Sequence, residues 1–333
     1  MNTEDYSSIT GYLRVLEKRL MGRDGVDRAI EASDAAEALK ILSQSDEYDF
    51  SSIERPEEYD KVLNAAFKKT IKYLYSAAPD KSALDVVLAK YDYHNVKVAL
   101  KSKYTGRTNN DLYLDYTGTD PAMIADAVLT GSRPLKLPAH LAAAIGIAEP
   151  FYETGKNPQT ADIALDRHMF GYQSSLANAS ENEFIIEFVK LLIDFFNIKT
   201  LLRAKNTDRD MKFLKDALCD GGKLSAKDIL AKFEKEPSDI ADAFKYKYFG
   251  DILREAADYY EKRGSFASLE RLFDNYLIEY IKKTKLLSFG PEVLVSYLLA
   301  RENEMRQIRI IMNCKLGGIA PSVLRERLRE NYA

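Results

Sequence analysis

A chain of 333 residues, 46% hydrophobic and 30% charged, can bury a substantial core and suggests two or three domains. Its 48 Lys and Arg against 51 Asp and Glu leave a net charge of −3, which argues against a dedicated nucleic-acid binder with its basic excess. Two cysteines, Cys219 and Cys314, exclude a disulfide framework. The longest apolar stretch, Ile185 to Phe196, is cut by Glu187, Lys190 and Asp194, so no membrane span is expected, and MNTEDYSSIT has neither the basic region nor the apolar core of a signal peptide. A cytoplasmic protein is expected.

The first predicted helix runs from about Asp5 to Met21. The next segment, SDAAEALK at 33–40, returns as SDIADAFK at 238–245, with 138–145 as the middle counterpart. Asp60, with Leu63 three places on, returns as Asp166/Met169 and Asp274/Leu277. Lys68-Lys69-Thr70 and Lys282-Lys283-Thr284 then follow at one offset, with Ser174-Ser175 where the middle copy departs. A long helix over residues 80–104 comes next, with Pro79 before it and Tyr93, Val96 and Leu100 on one face. Its segment NVKVALKSK, opening at Asn95, returns as NIKTLLRAK at Asn197 and QIRIIMNCK at Gln307, at spacings of 102 and 110 residues.

Around each of these segments stands the same set. An acid lies three places before (Asp92, Asp194, Glu304) and a lysine eight places after (Lys103, Lys205, Lys315). Ser180-x-x-Glu183 reads as the capping box of the middle long helix, and Gly106 and Gly317-Gly318 as the ends of the outer two. Short helices follow at Asp120–Leu129, Ser225–Phe233 and Pro321–Arg329. No stretch shows strand alternation, so more than roughly 60% helix is expected, far above the usual third.

A period near one hundred residues marks a triplicated unit. The units are 1–117, 118–221 and 222–333, the last with a closing helix after Gly318 that resembles the opening of a fourth unit. Three similar helical units favour a pseudo-threefold ring or bowl, a curved open stack being the alternative.

Catalytic chemistry is not legible. His94, His140 and His168 are far apart with no metal-ligand spacing and read as surface or core-edge residues. Cys219 and Cys314 lack a CxxC partner, and no phosphate-cradling glycine motif is present. No catalytic residue, metal or cofactor is expected. The repeated ionisable residues read as structural ion pairs, because one active site needs different groups rather than one group three times. Lys97, Lys199 and Arg309 are each expected to reach the aspartate of their own copy, Asp60, Asp166 and Asp274 respectively. The basic clusters Lys68-Lys69 and Lys282-Lys283, with Lys285, are candidates to face partners, against the plainer reading of solvated helix faces.

The three long-helix segments, Leu165-Asp166, and the run SFGPEVLVSYLLARENEMRQIRIIMNCKLGGIAPSVLRERLRE resemble the C subunits of the A-type and V-type ATPases and ATP synthases, whose eukaryotic counterpart is the d subunit of the V-ATPase. The resemblance covers essentially the whole chain. It implies an all-α protein of three similar domains around a funnel, without enzymatic activity or cofactor. It implies a rotor socket of the central stalk, with central shaft subunits on one side and the membrane proteolipid ring on the other. The protein would be monomeric alone, one copy per complex, cytoplasmic, and peripheral to the membrane through an assembly that couples ATP to proton or sodium transport. A helical-repeat adaptor of another cytoplasmic complex is the alternative, distinguished by failure to co-purify with ATPase rotor subunits.

Overall fold

The structure is a computed structural model that describes residues 3–45, 47–107, 109–153, 158–207 and 209–333. Helix accounts for 74% of the described residues and none of them lies in a strand, as the patterning predicts. In chain order the α-helices are α1 Ser7–Glu17, α2 Arg23–Glu31, α3 Ala35–Leu42, α4 Tyr59–Ala77, α5 Ser82–Thr105, α6 Pro121–Thr130, α7 Ala139–Glu153 and α8 Pro158–Ala179. They continue with α9 Glu183–Asn206, α10 Met211–Ala217, α11 Ala226–Leu230, α12 Pro237–Ala243, α13 Gly250–Arg263, α14 Ala267–Lys282, α15 Pro291–Leu316 and α16 Pro321–Arg327. No helix among the described residues is long and apolar enough to cross a membrane.

Local chemistry accounts for the starts. Asp34 accepts the Glu37 N–H at 2.8 Å while Glu37 accepts the Ser33 N–H at 2.5 Å, a reciprocal cap that opens α3. Asp120 caps α6 through the Ala122 N–H, with Pro121 in the first turn. The expected capping box Ser180-x-x-Glu183 is corrected. Glu181 turns the chain at φ +51°, so Asn182 takes the cap position and accepts the Ile185 N–H at 3.1 Å. The Ser180 hydroxyl instead donates back to the Ala177 carbonyl.

The three long helices are not one-sided. In α5 the consecutive residues Val86, Val87, Leu88 and Ala89 are all buried, and α15 buries Val293 through Leu298 without a break. Helices apolar on all sides are central helices surrounded by others. Contacts divide the chain into two compact units, residues 82–240 and residues 1–81 with 241–333. In the first, α5 packs against α6, α7 and α8, α8 against α9, and α9 against α10 and α11. Its core joins Tyr93, Val96 and Leu100, the predicted stripe of α5, to Ile124 and Val128 of α6, Leu141 and Ile145 of α7, and Leu165 of α8. The second is made from both ends of the chain: α15 packs against α1, α3, α4, α14 and α16, and α2 against α3 and α16.

Candidate functional site

The residues repeated three times turn out to be three kinds of staple, all placed by the long helices. The first is the amide. Asn95 donates through Nδ2 to the Leu114 carbonyl at 2.8 Å and accepts the Leu114 N–H at 2.9 Å. Asn197 does the same to Cys219, at 2.8 Å in both directions. Both asparagines are fully buried and hold an extended segment that would otherwise present unpaired backbone groups to the core. In the third copy Gln307 Nε2 donates instead to the side-chain oxygen of Asn331, near the C-terminus.

The second staple is the acid three residues earlier, which grips the backbone leading into a short helix. Asp194 accepts the N–H groups of Lys223 and Leu224, both at 3.0 Å, just before α11. A side chain at Gly222 would run into that carboxylate, which is why the approach needs glycine there. Asp92 is held by hydroxyls, from Thr117 at 2.5 Å and Thr119 at 3.4 Å, just before α6. Burial raises its pKa to about 6 against these hydrogen bonds. Glu304 accepts the Met21 N–H at 2.6 Å, just before α2, together with the Tyr48 hydroxyl and the Arg301 guanidinium.

The third staple is the lysine, which closes the far end of the same short helix. Lys103 donates to the Val128 carbonyl of α6 and Lys205 to the Phe233 carbonyl just after α11, each at 2.7 Å. Lys315 donates to the Ile30 carbonyl of α2 at 2.6 Å and also to that of Ala32. A cation on orphan terminal carbonyls satisfies them and complements the helix dipole. Acid and lysine therefore agree that α2, α6 and α11 are equivalent. The element after Gly318, read from sequence as the opening of a fourth unit, is corrected: the helix that fills that role for the third copy is α2, at the N-terminal end.

Two of the expected pairs, Lys97 to Asp60 and Arg309 to Asp274, are corrected. Lys97 meets Asp166 of the following copy at 2.6 Å, and Arg309 meets Asp60 at 2.7 Å while also donating to Asn64. Asp274 is held by Arg306 at 2.8 Å and Arg329 at 3.0 Å. Lys199 acts with Lys97 to lower the pKa of Asp166, against the larger upward effect of burial. The physical reason is packing order: α5 lies against α8, and α15 against α4, so Lys97 and Arg309 each face an aspartate outside their own copy.

The candidate partner-facing lysines separate into two kinds. Lys69 and Lys283 are exposed, whereas Lys68 and Lys282 are half-buried. Lys282 pairs with Glu279 at 2.6 Å, and Lys283 lies 5.1 Å from the Tyr280 ring centre. With Tyr276 these four residues line an open cleft. Lys285 instead serves the fold: it donates to the Tyr332 carbonyl at 2.5 Å and stands over that ring, and burial lowers its pKa.

Sequence reasoning missed two clusters. Arg301, 1% exposed, joins Glu304, Glu47 and the Tyr48 ring in one buried network. His168 Nδ1 lies 2.7 Å from the Tyr93 hydroxyl, and His140 stacks on Tyr172 with 3.9 Å between ring centres. Burial, with His168 close by, takes the His140 pKa down to about 4. His94 donates to the Leu112 carbonyl. Neither cluster carries a local motif: Arg301 and Glu304 lie on α15 and Glu47 and Tyr48 ahead of α4, while Tyr93, His140, His168 and Tyr172 come from α5, α7 and α8. No group of three or more His, Cys, Asp or Glu able to hold a metal occurs among the described residues.

Known proteins share this chain's sequence pattern along nearly its whole length. The family profile described as ATP synthase (C/AC39) subunit matches residues 9–327. The C subunit of the V-type sodium ATPase of Enterococcus hirae is 23% identical, over 98% of this chain and 99% of its own. The C subunit of the A-type ATP synthase of Thermococcus kodakarensis is 22% identical over 98% of this chain and 90% of its own. That of Desulfurococcus sp. is 25% identical over 96% and 90%.

Proposed function

The chain belongs to the ATP synthase (C/AC39) subunit family, and we propose that it is the non-catalytic socket joining the central shaft of a rotary ATPase to its membrane proteolipid ring. The observation that carries this reading is the family match, which runs from residue 9 to residue 327. The relatives are named as C subunits of V-type and A-type enzymes, which supports our reading that the partners of this chain are the shaft subunits and the ring of such a complex, with one copy of the chain in each. It acts at the cytoplasmic face, held to the membrane through the assembly.

The repeated residues support a mechanical role. A coupling piece transmits torque only if its helices do not slide, and close-packed interiors tied by buried hydrogen bonds are stiff. The amides, acids and lysines of the long helices provide such ties in all three sequence copies. We read 1–117, 118–221 and 222–333 as the products of duplication and place them in a pseudo-threefold funnel. Lys68, Lys69, Lys282 and Lys283 are the residues we assign to partner contacts.

Deletion of the gene tests the reading. ATP hydrolysis by the soluble head should persist while ion transport coupled to it disappears. Loss of hydrolysis in the isolated head, or intact transport without this protein, would overturn the coupling role.

A further inference from the structure

The end of α14 departs from its counterpart in the first sequence copy. With Lys68-Lys69-Thr70 set against Lys282-Lys283-Thr284, the residues that follow are Ile71-Lys72-Tyr73 in the first copy and Lys285-Leu286-Leu287 in the third. In the first copy α4 continues as α-helix to Ala77, with Ile71 buried and Lys72 exposed. In the third the α-helix stops at Lys282 and tightens into a 3-10 turn over Lys283–Leu286. Where the first copy exposes a lysine, the third exposes a leucine: Leu286 is 90% exposed.

The backbone under this leucine is braced from several directions. The buried Thr284 hydroxyl donates to the Ile281 carbonyl at 2.8 Å, and the Leu287 N–H closes onto the Thr284 carbonyl at 3.0 Å. The Arg14 guanidinium of α1 donates to the carbonyls of Thr284 and Leu287, at 2.6 and 2.9 Å, one on each side of Leu286. Glu17 holds that guanidinium in place at 2.8 Å. Lys285 is folded back onto the Tyr332 carbonyl and ring. A single exposed leucine is ordinary on a protein surface. One whose backbone is fixed on both sides is a preformed knob, with little conformational freedom left to lose when it is buried. Through Lys283 the turn adjoins the open cleft lined by Tyr276, Glu279, Tyr280, Lys282 and Lys283. Lys282, Lys283 and Lys285 outnumber Glu279 here, so the surroundings of the knob are basic.

We propose that the turn 284–287 is the anchor by which this unit seats on a protein partner that offers an apolar pocket for Leu286, rimmed by carboxylates that meet Lys282 and Lys283. The inference rests on the coupling role and names, within it, the anchoring side chain and the chemistry of the surface that receives it. Burial of Leu286 supplies affinity, and the lysines supply orientation and approach. A knob beside a cleft fits a surface with fixed relief, which a bilayer lacks. Membrane-seeking segments bring a broad apolar face instead of one braced leucine.

Binding of the full chain to purified shaft subunits, to the purified ring and to vesicles of anionic phospholipid tests this, at low salt and at about 0.5 M. Leu286→Lys installs the residue that the first copy carries at this place, so the denaturation midpoint should stay that of the wild type. Leu286→Ala shortens the knob without adding charge. Both variants should bind the shaft or the ring roughly tenfold or more weakly, and the loss for Leu286→Ala should be the same at the two salts, because burial of apolar surface is not screened. Equal binding of wild type and variants would overturn the anchor and leave the coupling role standing, whereas a wild type that binds neither shaft nor ring would overturn both. A midpoint lowered by Leu286→Lys would make the leucine part of the fold and overturn the proposal. Vesicle binding that the substitutions abolish, with binding to the subunits intact, would assign the turn to the membrane and overturn it as well.

Discussion

Lys97 Nζ and Asp166 Oδ1 lie 2.6 Å apart, and this pair joins the long helix of one sequence copy to the upstream helix of the next. Arg309 and Asp60 repeat the relationship at 2.7 Å, with the chain's last long helix reaching back to α4. The packing unit is therefore shifted along the chain relative to the sequence unit. The long helix α5 closes a bundle with helices that follow it, and α15 finds the corresponding helices at the N-terminal end.

Both members of the Lys97–Asp166 pair are about three-quarters buried, so removing one strands the other in a poorly hydrated place. Lys97→Met should destabilise by about 2 kcal/mol, read as a shift in the denaturation midpoint of residues 82–240. The exchange Lys97→Asp with Asp166→Lys should recover at least half of that loss. If the double variant is no better than the sum of the singles, the pair holds no register.

Asparagine staples should outrank the glutamine one. Asn197→Ala leaves both the N–H and the carbonyl of Cys219 buried without partners and should cost about 2–4 kcal/mol. Gln307→Ala removes a single side-chain bond to Asn331 and should cost about 1 kcal/mol for that bond, besides the packing common to both substitutions. Urea midpoints of the two variants give the order directly. Equal losses would mean that the backbone clamp adds nothing beyond filling space.

These staples show what was and was not legible beforehand. Position was legible: acid, amide and lysine recur at fixed offsets, and the apolar stripe Tyr93, Val96, Leu100 predicts the face that packs on α6, α7 and α8. Partnership was not, because a repeat in sequence does not say whether a unit closes with its own upstream helices or with its neighbour's. Lys97 and Asp60 share a copy, yet the helix that crosses α5 carries Asp166. The lysine cluster was read as one face, but Lys285 is turned to the C-terminal tail by Tyr332, a residue 47 positions away that no local pattern connects to it. Arg301 was invisible for the opposite reason: a lone arginine in a charged stretch reads as surface, and only the convergence of Glu304, Glu47 and Tyr48 makes its burial tolerable.

Asp92 gives a pH dependence with a definite sign. Its folded pKa, about 6, lies above the ordinary value of 3.8, so the folded state binds the proton more tightly than the unfolded chain. Its contribution is greatest below about pH 4 and is lost as pH rises through about 6. Asp92→Asn keeps a side chain that can meet both Thr117 and Thr119 without the buried charge. The variant should therefore gain on the wild type by about 2–3 kcal/mol between pH 4 and pH 7, and the gap should be flat above that. Parallel stability curves for the two proteins across this range would place Asp92 in contact with water.

The partner-facing assignment of Lys282 and Lys283 makes the last prediction. Both stand at the end of α14, beside an open cleft with Tyr276, Glu279 and Tyr280, and neither is tied to a distant part of the chain among the contacts described above. Lys282 meets the neighbouring Glu279, a surface pair of a kind that adds little to stability. Reversing both charges, Lys282→Glu with Lys283→Glu, should thus leave the denaturation midpoint of the isolated chain within about 0.5 kcal/mol of wild type. Binding to the purified ring or shaft subunits should weaken by roughly tenfold or more at low salt, and the difference should shrink at about 0.5 M salt as screening shortens the reach of the charges. Lys285→Glu is the contrasting control. It breaks the bond to the Tyr332 carbonyl, so it should lower the stability of the chain itself at either salt. A double reversal that leaves binding unchanged at low salt would return these lysines to the status of a solvated helix end and move the search for the contact surface elsewhere on the chain.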